Sequence, residues 1–347
     1  MAGHHNSSTI DDVAKRAGVS IATVSRVLNG STPVIDGTAE RVRAAIEELD
    51  YKPRAAARIL ASRRTDTLGL LLPEIGESFF APLLRGIETE ARIAGFDLLI
   101  HATSHIAHAS SPTPHRSLAE HNTDGLVVFT QSLDLQELAR LKKISFPLVL
   151  IYQNSPSSMD IPAVVIENKS GARMVVDHLI EVHGCRRIAF LRGPKGNEDS
   201  DQREQGYRQA LKHHGIPVDP NLIGVGGFNR EEAQGTLNNW LKAGLAFDAI
   251  FAGDDDAAAG VLLALQRFGK RIPQDVKVVG FDDSPVAQFL PPPLTTVRAP
   301  IEKVGREAVN RLVRLIHGEQ VQGSTLMQTE LVVRESCGCS GSPTTET

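Results

Sequence analysis

Apolar positions recur at helical spacing in three short segments near the start of the chain. The first segment runs from about residue 10, the second from about residue 21, and the third from about 38 to 49. Each stripe is narrow, which is typical of short helices packed against one another. The residues expected to face inward are Ile10, Val13, Ala14 and Ala17, then Val24, Val27 and Leu28, then Val42, Ala45, Ile46 and Leu49.

Polar residues and glycine mark the ends of these helices. Thr9 can cap the first helix, with Asp12 three positions later as a partial capping box. Gly18 permits the left-handed backbone that ends it, and Ser20 can cap the second helix. Two short helices joined by a turn containing glycine and braced by a third predict a helix-turn-helix head.

From about residue 67 the pattern changes to short apolar runs alternating with helical stretches. This alternation predicts parallel sheets with helical crossovers. About 270 residues exceed one modest α/β domain, so we expect two lobes with a ligand cleft between them. The runs expected to be strands are "LGLLLP", "FDLLI", "GLVVF", "LVLIY", "AVVI", "RIAFL", "DAIFAG" and "VKVVGF".

Composition and charge indicate the compartment of the protein and the kind of partner it binds. Three cysteines cannot make a disulfide framework and fit a reducing compartment. The start of the chain lacks the pattern of a signal peptide, and no apolar run reaches the length of a membrane span, so we expect a cytoplasmic protein without membrane contacts. Residues 1–64 hold ten Lys and Arg against seven Asp and Glu, although the whole chain has a net charge of −4. This slightly basic head hints at a polyanionic partner.

The second helix carries side chains suited to reading DNA. A helix fits the major groove, where Arg26 can donate two hydrogen bonds to guanine. Hydroxyl and amide groups suit phosphates or base edges, and small apolar groups suit thymine methyls. A three-helix packing module without a ligand is the alternative. The candidate DNA contacts are Thr9, Ser20, Ile21, Ala22, Thr23, Ser25, Arg26 and Asn29.

Several separated motifs together resemble one family. "TIDDVAKRAGVSIATVSRVLNG", "AAIEELDYKPRAAARILASRRT", "GLLLPEIGESFFAPLLRGIE", "VVGFDDSPVAQFLPPPLTTVRAP" and "LVVRESCG" occur in the order found in lactose-repressor-type (LacI/GalR) transcriptional regulators. The resemblance covers about residues 9–338. It implies a homodimer on double-stranded, pseudo-palindromic operator DNA and a body like a periplasmic binding protein. The short polar tail has no apolar heptads, which favours a dimer over a tetramer.

The resemblance also divides the chain. It implies a head at 8–52, a hinge helix or linker at 53–65, a body at 66–338 and a polar tail at 339–347. We place the N-lobe at about 66–166 and 295–320 and the C-lobe at about 168–290 and 326–338, with crossovers near 167–170, 283–294 and 318–326. In the family the hinge helix orders in the minor groove, where Leu60 matches a wedging leucine and Ala57 lies at the groove floor. A plain linker is the alternative.

Seven residues match effector-binding positions of the family. Arginine presents a rigid fork of donors, ionised aspartate accepts from hydroxyls, and aromatic faces pack on a sugar or a base. Alternatives remain, since Arg203 and Asp282 could form an interlobe ion pair and the phenylalanines could be core. The positions are Phe79, Phe80, Tyr152, Arg203, Phe228, Asp254 and Asp282.

Two features depart from the family pattern. Tyr152 stands where sugar- and purine-responsive members often carry an acid. Residues 101–121 replace an acidic loop and long helix by a segment rich in histidine and proline, which predicts an irregular, solvated loop with two turns near its end. Its histidines match no compact metal-ligand spacing, and Cys337 and Cys339 supply two ligands at most, so no metal or cofactor is predicted.

These observations predict a sequence-specific repressor whose operator affinity is controlled by a small polar metabolite, a sugar or sugar derivative. A nucleoside- or nucleobase-responsive regulator that requires a co-repressor is the alternative effector class. A transport-type solute-binding protein would need a signal peptide and no head. An enzyme would need a catalytic constellation, which the sequence does not present.

Overall fold

The computed structural model describes residues 8–29, 34–51, 64–76, 78–103 and 118–340. The chain forms two compact units, a helical head and an α/β body. The all-α head and the α/β body with parallel sheets confirm the predicted fold class.

The head contains three helices around a small apolar core. They are α1 (Ile10–Ala17), α2 (Ile21–Asn29) and α3 (Asp36–Glu48), so the third helix begins two residues before the predicted start. Thr9 and Asp12 form the expected capping box, and Gly18 adopts a left-handed backbone at φ 65°. The core side chains are Val13, Ala14, Ala17, Val24, Val42, Ala45 and Tyr51, with Ile10, Val27, Leu28, Ile46 and Leu49 packed against them.

The N-lobe is built on a six-stranded sheet in the order β11-β5-β4-β3-β1-β2. Strand β3 pairs in parallel with β1 and β4, and β5 pairs in parallel with β4 and β11. The elements are β1 (Thr67–Leu72), α4 (Phe80–Ile93), β2 (Asp97–Ala102), β3 (Gly125–Phe129), α5 (Leu135–Lys143), β4 (Leu148–Ile151), β5 (Ala163–Ile166), and later α10 (Ile301–Ile316) and β11 (Ser324–Met327).

The C-lobe is built on a four-stranded parallel sheet in the order β7-β6-β8-β9. An antiparallel pair of β10 and β12 joins it. The elements are α6 (Asn168–Glu181), β6 (Ile188–Arg192), α7 (Glu198–His213), a 3-10 turn (Pro220–Leu222), β7 (Ile223–Val225), α8 (Arg230–Lys242), β8 (Ala249–Ala252), α9 (Asp255–Arg267), β9 (Lys277–Val279), β10 (Thr296–Arg298) and β12 (Glu330–Val332).

The connections between the lobes differ from two of the predicted positions. The first passes from β5 to α6 through Glu167, inside the expected range. The second lies between β10 and α10, after residue 298, because β10 pairs with β12 and stays with the C-lobe. The third lies between β11 and β12, after residue 327, because β11 extends the N-lobe sheet beside β5. Short strands at 296–298 and 324–327 carried too little apolar pattern to reveal this.

All eight apolar runs quoted above form strands, and β7, β10, β11 and β12 are additional. His101 belongs to β2 rather than to the expected loop, and residues 104–117 lie outside the described residues. Leu118 and Ala119 are buried in a turn at residues 118–122, so the end of this segment packs into the core instead of being solvated.

Candidate functional site

Four of the predicted DNA contacts are exposed on helix α2 or at the residue that caps it. Ser20, Ile21, Ala22 and Arg26 are exposed. Ile21 is 48% exposed and does not belong to the apolar core of the head. Helix α2 therefore exposes the Arg26 guanidinium together with the apolar side chains of Ile21 and Ala22.

Other predicted DNA contacts in the head take part in local hydrogen bonds. The Thr23 N–H donates to Ser20 Oγ at 3.2 Å, which caps the start of α2. The Thr9 hydroxyl donates to Asp12 Oδ2 at 2.7 Å. Ser25 is half-buried, whereas the side chain of Asn29 and residues Ala57 and Leu60 lie outside the described residues. Their roles at DNA stay predictions.

A cavity of about 310 Å³ lies between the N-lobe and the C-lobe. Its wall comes from residues that follow the carboxyl ends of the parallel strands of both sheets, where α/β proteins hold small ligands. Six of the seven predicted effector residues line it. The lining residues are Pro73, Glu74, Phe79, Phe80, Phe129, Thr130, Gln131, Pro194, Asn197, Asp199, Arg203, Gly227, Phe228, Asn229, Asp254 and Asp282.

Arg203 is the centre of a buried hydrogen-bond network in this cavity. Its Nε donates to Asn168 Oδ1 at 2.8 Å, and its Nη1 donates to the Gly253 carbonyl at 2.6 Å. Its Nη2 donates to Asp282 Oδ1 at 3.0 Å. Arg203 and Asp282 therefore form an ion pair, but within the C-lobe rather than between the lobes as the alternative supposed, and both residues also line the cavity.

Aromatic rings hold the arginine and form the apolar part of the wall. The Arg203 guanidinium carbon lies 3.8 Å from the centroid of the Phe281 ring and 5.2 Å from that of Phe228. A methyl group at Gly193 would come within 2.3 Å of the Phe228 ring, so only glycine lets that ring lie against the backbone. Rigid stacking of this kind fixes the direction of the arginine fork.

Tyr152 is the predicted effector residue that is absent from the cavity wall. It is 1% exposed, and its ring packs edge-on against Phe79 and beside Phe129 behind the cavity surface. Its hydroxyl is buried and has no hydrogen-bond partner in the described structure. Burial, with Asp282 and Asp199 adding repulsion, raises the pKa of this phenol well above its usual range. Tyr152 therefore stays a neutral support for the aromatic wall.

Burial dominates the electrostatics of the carboxyl groups. It raises the pKa of Asp199 to about 7 and that of Asp254 to about 8, although Arg203 opposes both shifts. Burial also raises the pKa of Asp282 despite its bond to Arg203. The single guanidinium of Arg203 interacts with several buried acids. A ligand that donates hydrogen bonds to these acids would offset part of the free-energy cost of burying their charged forms.

Sequence reasoning missed two polar residues of the network. Asn168 begins α6, is fully buried, and donates from Nδ2 to Asp199 Oδ1 at 2.7 Å while accepting from Arg203. The second missed residue is Asp199. Both residues lie near helix starts, and Asn168 is the second residue after the end of β5. A position after a buried strand was the available signal, but it occurs after many strands and does not name a site.

Cys337 and Cys339 supply two potential ligand atoms, as the sequence indicates, but the sequence did not reveal which residues lie beside them. The fold brings His178 and His183 to them, and four potential ligand atoms lie within 4.8 Å of one another. The histidines precede the cysteines by more than 150 residues, so the sequence spacing gave no compact pattern.

A helix-turn-helix unit in the same chain as a two-lobed body with a polar cavity defines a DNA-binding regulator that responds to a small molecule. Residues 9–54 match the family model described as bacterial regulatory proteins, lacI family. Residues 176–337 match that of the periplasmic binding protein-like domain. The chain belongs to the lacI family of transcriptional regulators.

Full-length relatives support this assignment. The ribose operon repressor of Halalkalibacterium halodurans is 36% identical over 332 residues, covering 95% of this chain and 97% of the relative. The CytR repressor of Escherichia coli is 33% identical over 330 residues, with 95% and 96% covered. These relatives are regulators, and this chain is a regulator rather than an enzyme.

Solved structures agree over nearly the whole chain. A complex of the regulator CelR with cellobiose has a TM-score of 0.69 and 33% identity, covering 95% of this chain and 99% of that one. The lac repressor dimer bound to operator and the anti-inducer ONPF has a TM-score of 0.78 and 27% identity over the same shares. Among the described helices of this chain, none is long and apolar enough to cross a membrane.

Proposed function

We propose that this protein is a repressor that binds a pseudo-palindromic operator as a homodimer. Its operator affinity falls or rises when a neutral sugar binds in the cavity. The observation that carries the ligand class is the balance of charge on the cavity wall. Glu74, Asp199, Asp254 and Asp282 are acidic, and Arg203 is the one basic residue among the described lining residues.

This balance selects against anionic ligands. A phosphate or carboxylate would be repelled by any ionised carboxylate on this wall, or it would hold the raised pKa values of Asp199 and Asp254 still higher, a cost that a neutral ligand avoids. A sugar offers many hydroxyl donors to those same oxygens and keeps no net charge. Apolar ring faces from Phe79, Phe129 and Phe228 suit the C–H face of a pyranose or furanose.

Arg203 keeps donors available for such a ligand. Of its five N–H groups, three are used by Asn168, Gly253 and Asp282, which leaves two for ligand oxygens. Asp254 accepts from the Ala257 N–H with Oδ1 at 2.9 Å, so its Oδ2 is the oxygen that can accept from a ligand. Donor and acceptor then sit on one wall, which suits adjacent hydroxyl groups.

The comparisons with known proteins support the same class of ligand, a neutral sugar. One solved relative is titled as a cellobiose complex, and another relative is named a ribose operon repressor. The lac repressor structure is titled as a dimer on its operator, which supports the dimer and the operator proposed here. Operator reading would rest on α2, with Arg26 as the residue that selects a base.

Isothermal titration of the full chain against neutral mono- and disaccharides, sugar phosphates, nucleosides and nucleobases tests the ligand class. We expect binding within the neutral sugars. Asp254→Asn keeps the helix cap but replaces Oδ2 with an amide NH2, and it should weaken that binding about 2- to 10-fold, because a hydrogen bond between neutral groups contributes about 0.5–1.5 kcal/mol. Glu335→Gln, an exposed change outside the cavity, is the control. Binding of nucleosides alone would support the co-repressor alternative, and preference for sugar phosphates would contradict the charge argument.

Operator selection with randomised DNA tests the head. Arg26→Ala should cost about 1–3 kcal/mol and relax preference at one base pair in each half-site. Arg16, which pairs with Glu48 at 2.6 Å, provides the control. Arg16→Ala should change affinity equally for matched and mismatched sites. An unchanged base preference in Arg26→Ala would remove this residue from the proposed interface.

A further inference from the structure

Four metal-ligating side chains meet in the C-lobe, away from the cavity residues. His178 lies near the end of α6, His183 follows that helix, and Cys337 and Cys339 lie in the segment after β12. One ligand atom from each falls within 4.8 Å of all the others. Cys337 is fully buried, whereas the other three are partly exposed, so an ion can enter from solvent.

The separations fit a tetrahedron around a metal ion. Zinc bonds of about 2.0–2.3 Å to nitrogen and sulfur require ligand atoms about 3.5 Å apart at the corners of a tetrahedron. Cys339 Sγ lies 3.4 Å from His183 Nε2 and 3.7 Å from His178 Nε2. The two imidazole rings are nearly perpendicular, at 78°, with centroids 5.1 Å apart, and the Nε2 atoms of both rings lie within 3.7 Å of this one sulfur atom.

The backbone and a neighbouring hydroxyl support the same geometry. Gly338 has φ 101°, a conformation that favours glycine, and it places both flanking cysteines beside the histidines. Thr295 Oγ1 accepts from the Arg334 N–H at 2.8 Å and donates to Cys337 Sγ at 3.1 Å. A donor held toward a sulfur atom is the support that metal-bound thiolates need.

We propose that His178, His183, Cys337 and Cys339 bind one zinc ion that ties the C-terminal segment to α6. Thiolate and imidazole ligands in a tetrahedral S₂N₂ set favour Zn²⁺ over the hard ions Mg²⁺ and Ca²⁺. Four protein ligands close the coordination sphere, so the ion is structural. Two thiolates neutralise its charge. The ion fixes the end of the helix whose first residue, Asn168, holds Arg203 and Asp199 in the cavity.

Metal analysis of the full chain tests this proposal. Protein purified anaerobically with a thiol reductant is stripped with a chelator, supplied with Zn²⁺ alone, dialysed, and measured by plasma mass spectrometry. We expect about one zinc per chain in the protein without substitutions. The double variant Cys337→Ser/Cys339→Ser should contain at least ten-fold less zinc per chain. Cys185→Ser, which changes the one cysteine outside the cluster, is the control and should retain the ion. Equal loss of zinc in that control would overturn the assignment.

A second measurement does not depend on the folding of any variant. Co²⁺ added to the stripped original protein should give the visible absorption of a tetrahedral ion and a thiolate-to-cobalt charge-transfer band, and Zn²⁺ should displace both. Zinc should also raise the Tm of the stripped protein. A stripped protein with three free thiols that binds neither ion would refute the proposal. So would a disulfide between Cys337 and Cys339 in the anaerobically purified chain.

Discussion

At the scale of single residues, the cavity holds backbone conformations that side chains rarely adopt. Asp282 has φ 106°, and both Phe228 and Tyr152 have φ 58°. Each such residue costs about 1–3 kcal/mol unless its surroundings compensate. Asp282 is held on both sides of its backbone, since its N–H donates to the Val297 carbonyl at 2.7 Å and its carbonyl accepts from Ala299 N–H at 3.2 Å. The ligand-facing side chains are therefore positioned before any ligand arrives.

The raised pKa of Asp254 predicts how stability depends on pH. Its pKa is about 8 in the folded chain, against 3.8 for the free side chain. Between those values the folded state keeps a proton that the unfolded state has released, so the free energy of unfolding falls as pH rises from about 4 to about 8. Asp254→Asn removes this titrating proton and keeps the hydrogen bond from the Ala257 N–H. The free energy of unfolding of this variant should therefore fall less steeply as pH rises. Urea unfolding of both proteins at several pH values checks this, and parallel curves would contradict it.

The sequence could predict the residues whose chemistry and motif context were both distinctive. Arg203, Phe228, Asp254 and Asp282 lie on the cavity wall as expected. Asn168 could not be predicted, because an asparagine at a helix start is common and its two partners, Asp199 and Arg203, come from another helix, α7. The four clustered metal-ligating residues were missed for the same reason. Contacts across more than 150 residues depend on how lobes and crossovers pack, which local pattern does not encode.

At the scale of secondary-structure elements, helices α4 and α10 pack in direct backbone contact. A methyl group added at Gly86 would lie 2.1 Å from the Glu302 carbonyl oxygen, and one at Gly305 would lie 2.7 Å from that of Leu83. Both glycines therefore allow an approach that any larger residue prevents. Helix α4 begins at the cavity residue Phe80, so this contact also sets the position of the aromatic wall.

Gly86→Ala should separate the two helices and lower the free energy of unfolding by about 1–3 kcal/mol, the usual cost of overpacking. Gly235→Ala is the matched control, since this glycine lies within α8 and a methyl group there meets nothing within 4 Å. The control should be neutral or gain up to about 1 kcal/mol from helix propensity. Urea unfolding distinguishes the two. Equal stability of both variants would show that the helices can move apart freely.

At the scale of the body, hydrogen bonds cross the cleft on two sides of the cavity. Ser78 of the N-lobe donates to Asp256 Oδ2 of the C-lobe at 2.8 Å. Gln131 Nε2 donates to the Gly196 carbonyl at 3.1 Å, and Asn154 donates to Glu198 through both its backbone and its amide. These bonds hold the lobes together independently of a ligand, so they set how readily the cleft opens.

Ser78→Ala combined with Asn154→Ala removes two side-chain hydrogen bonds and should weaken effector binding about 5- to 150-fold. Each lost hydrogen bond removes about 0.5–1.5 kcal/mol from the closed arrangement that binds the ligand. Thr236→Val is the control, since its hydroxyl bond to the Val225 carbonyl at 2.6 Å stays within the C-lobe. Titration with the sugar found in the screen measures the affinities. An unchanged affinity in the double variant would mean that closure contributes nothing to binding.

The three connections between the lobes run side by side. The Glu167 N–H donates to the Met327 carbonyl at 2.9 Å, Thr329 donates to the Glu167 carbonyl at 3.1 Å, and Arg298 pairs with Glu330 at 2.8 Å. Three adjacent connections should restrain twisting and sliding of the lobes more than bending, so we expect opening and closing of the cleft to be the easiest motion of the body. Ligands of different size and shape would then differ in how far they close the cleft rather than in the direction of motion. If the proposed function holds, the response to each sugar should follow the angle to which that sugar closes the two lobes.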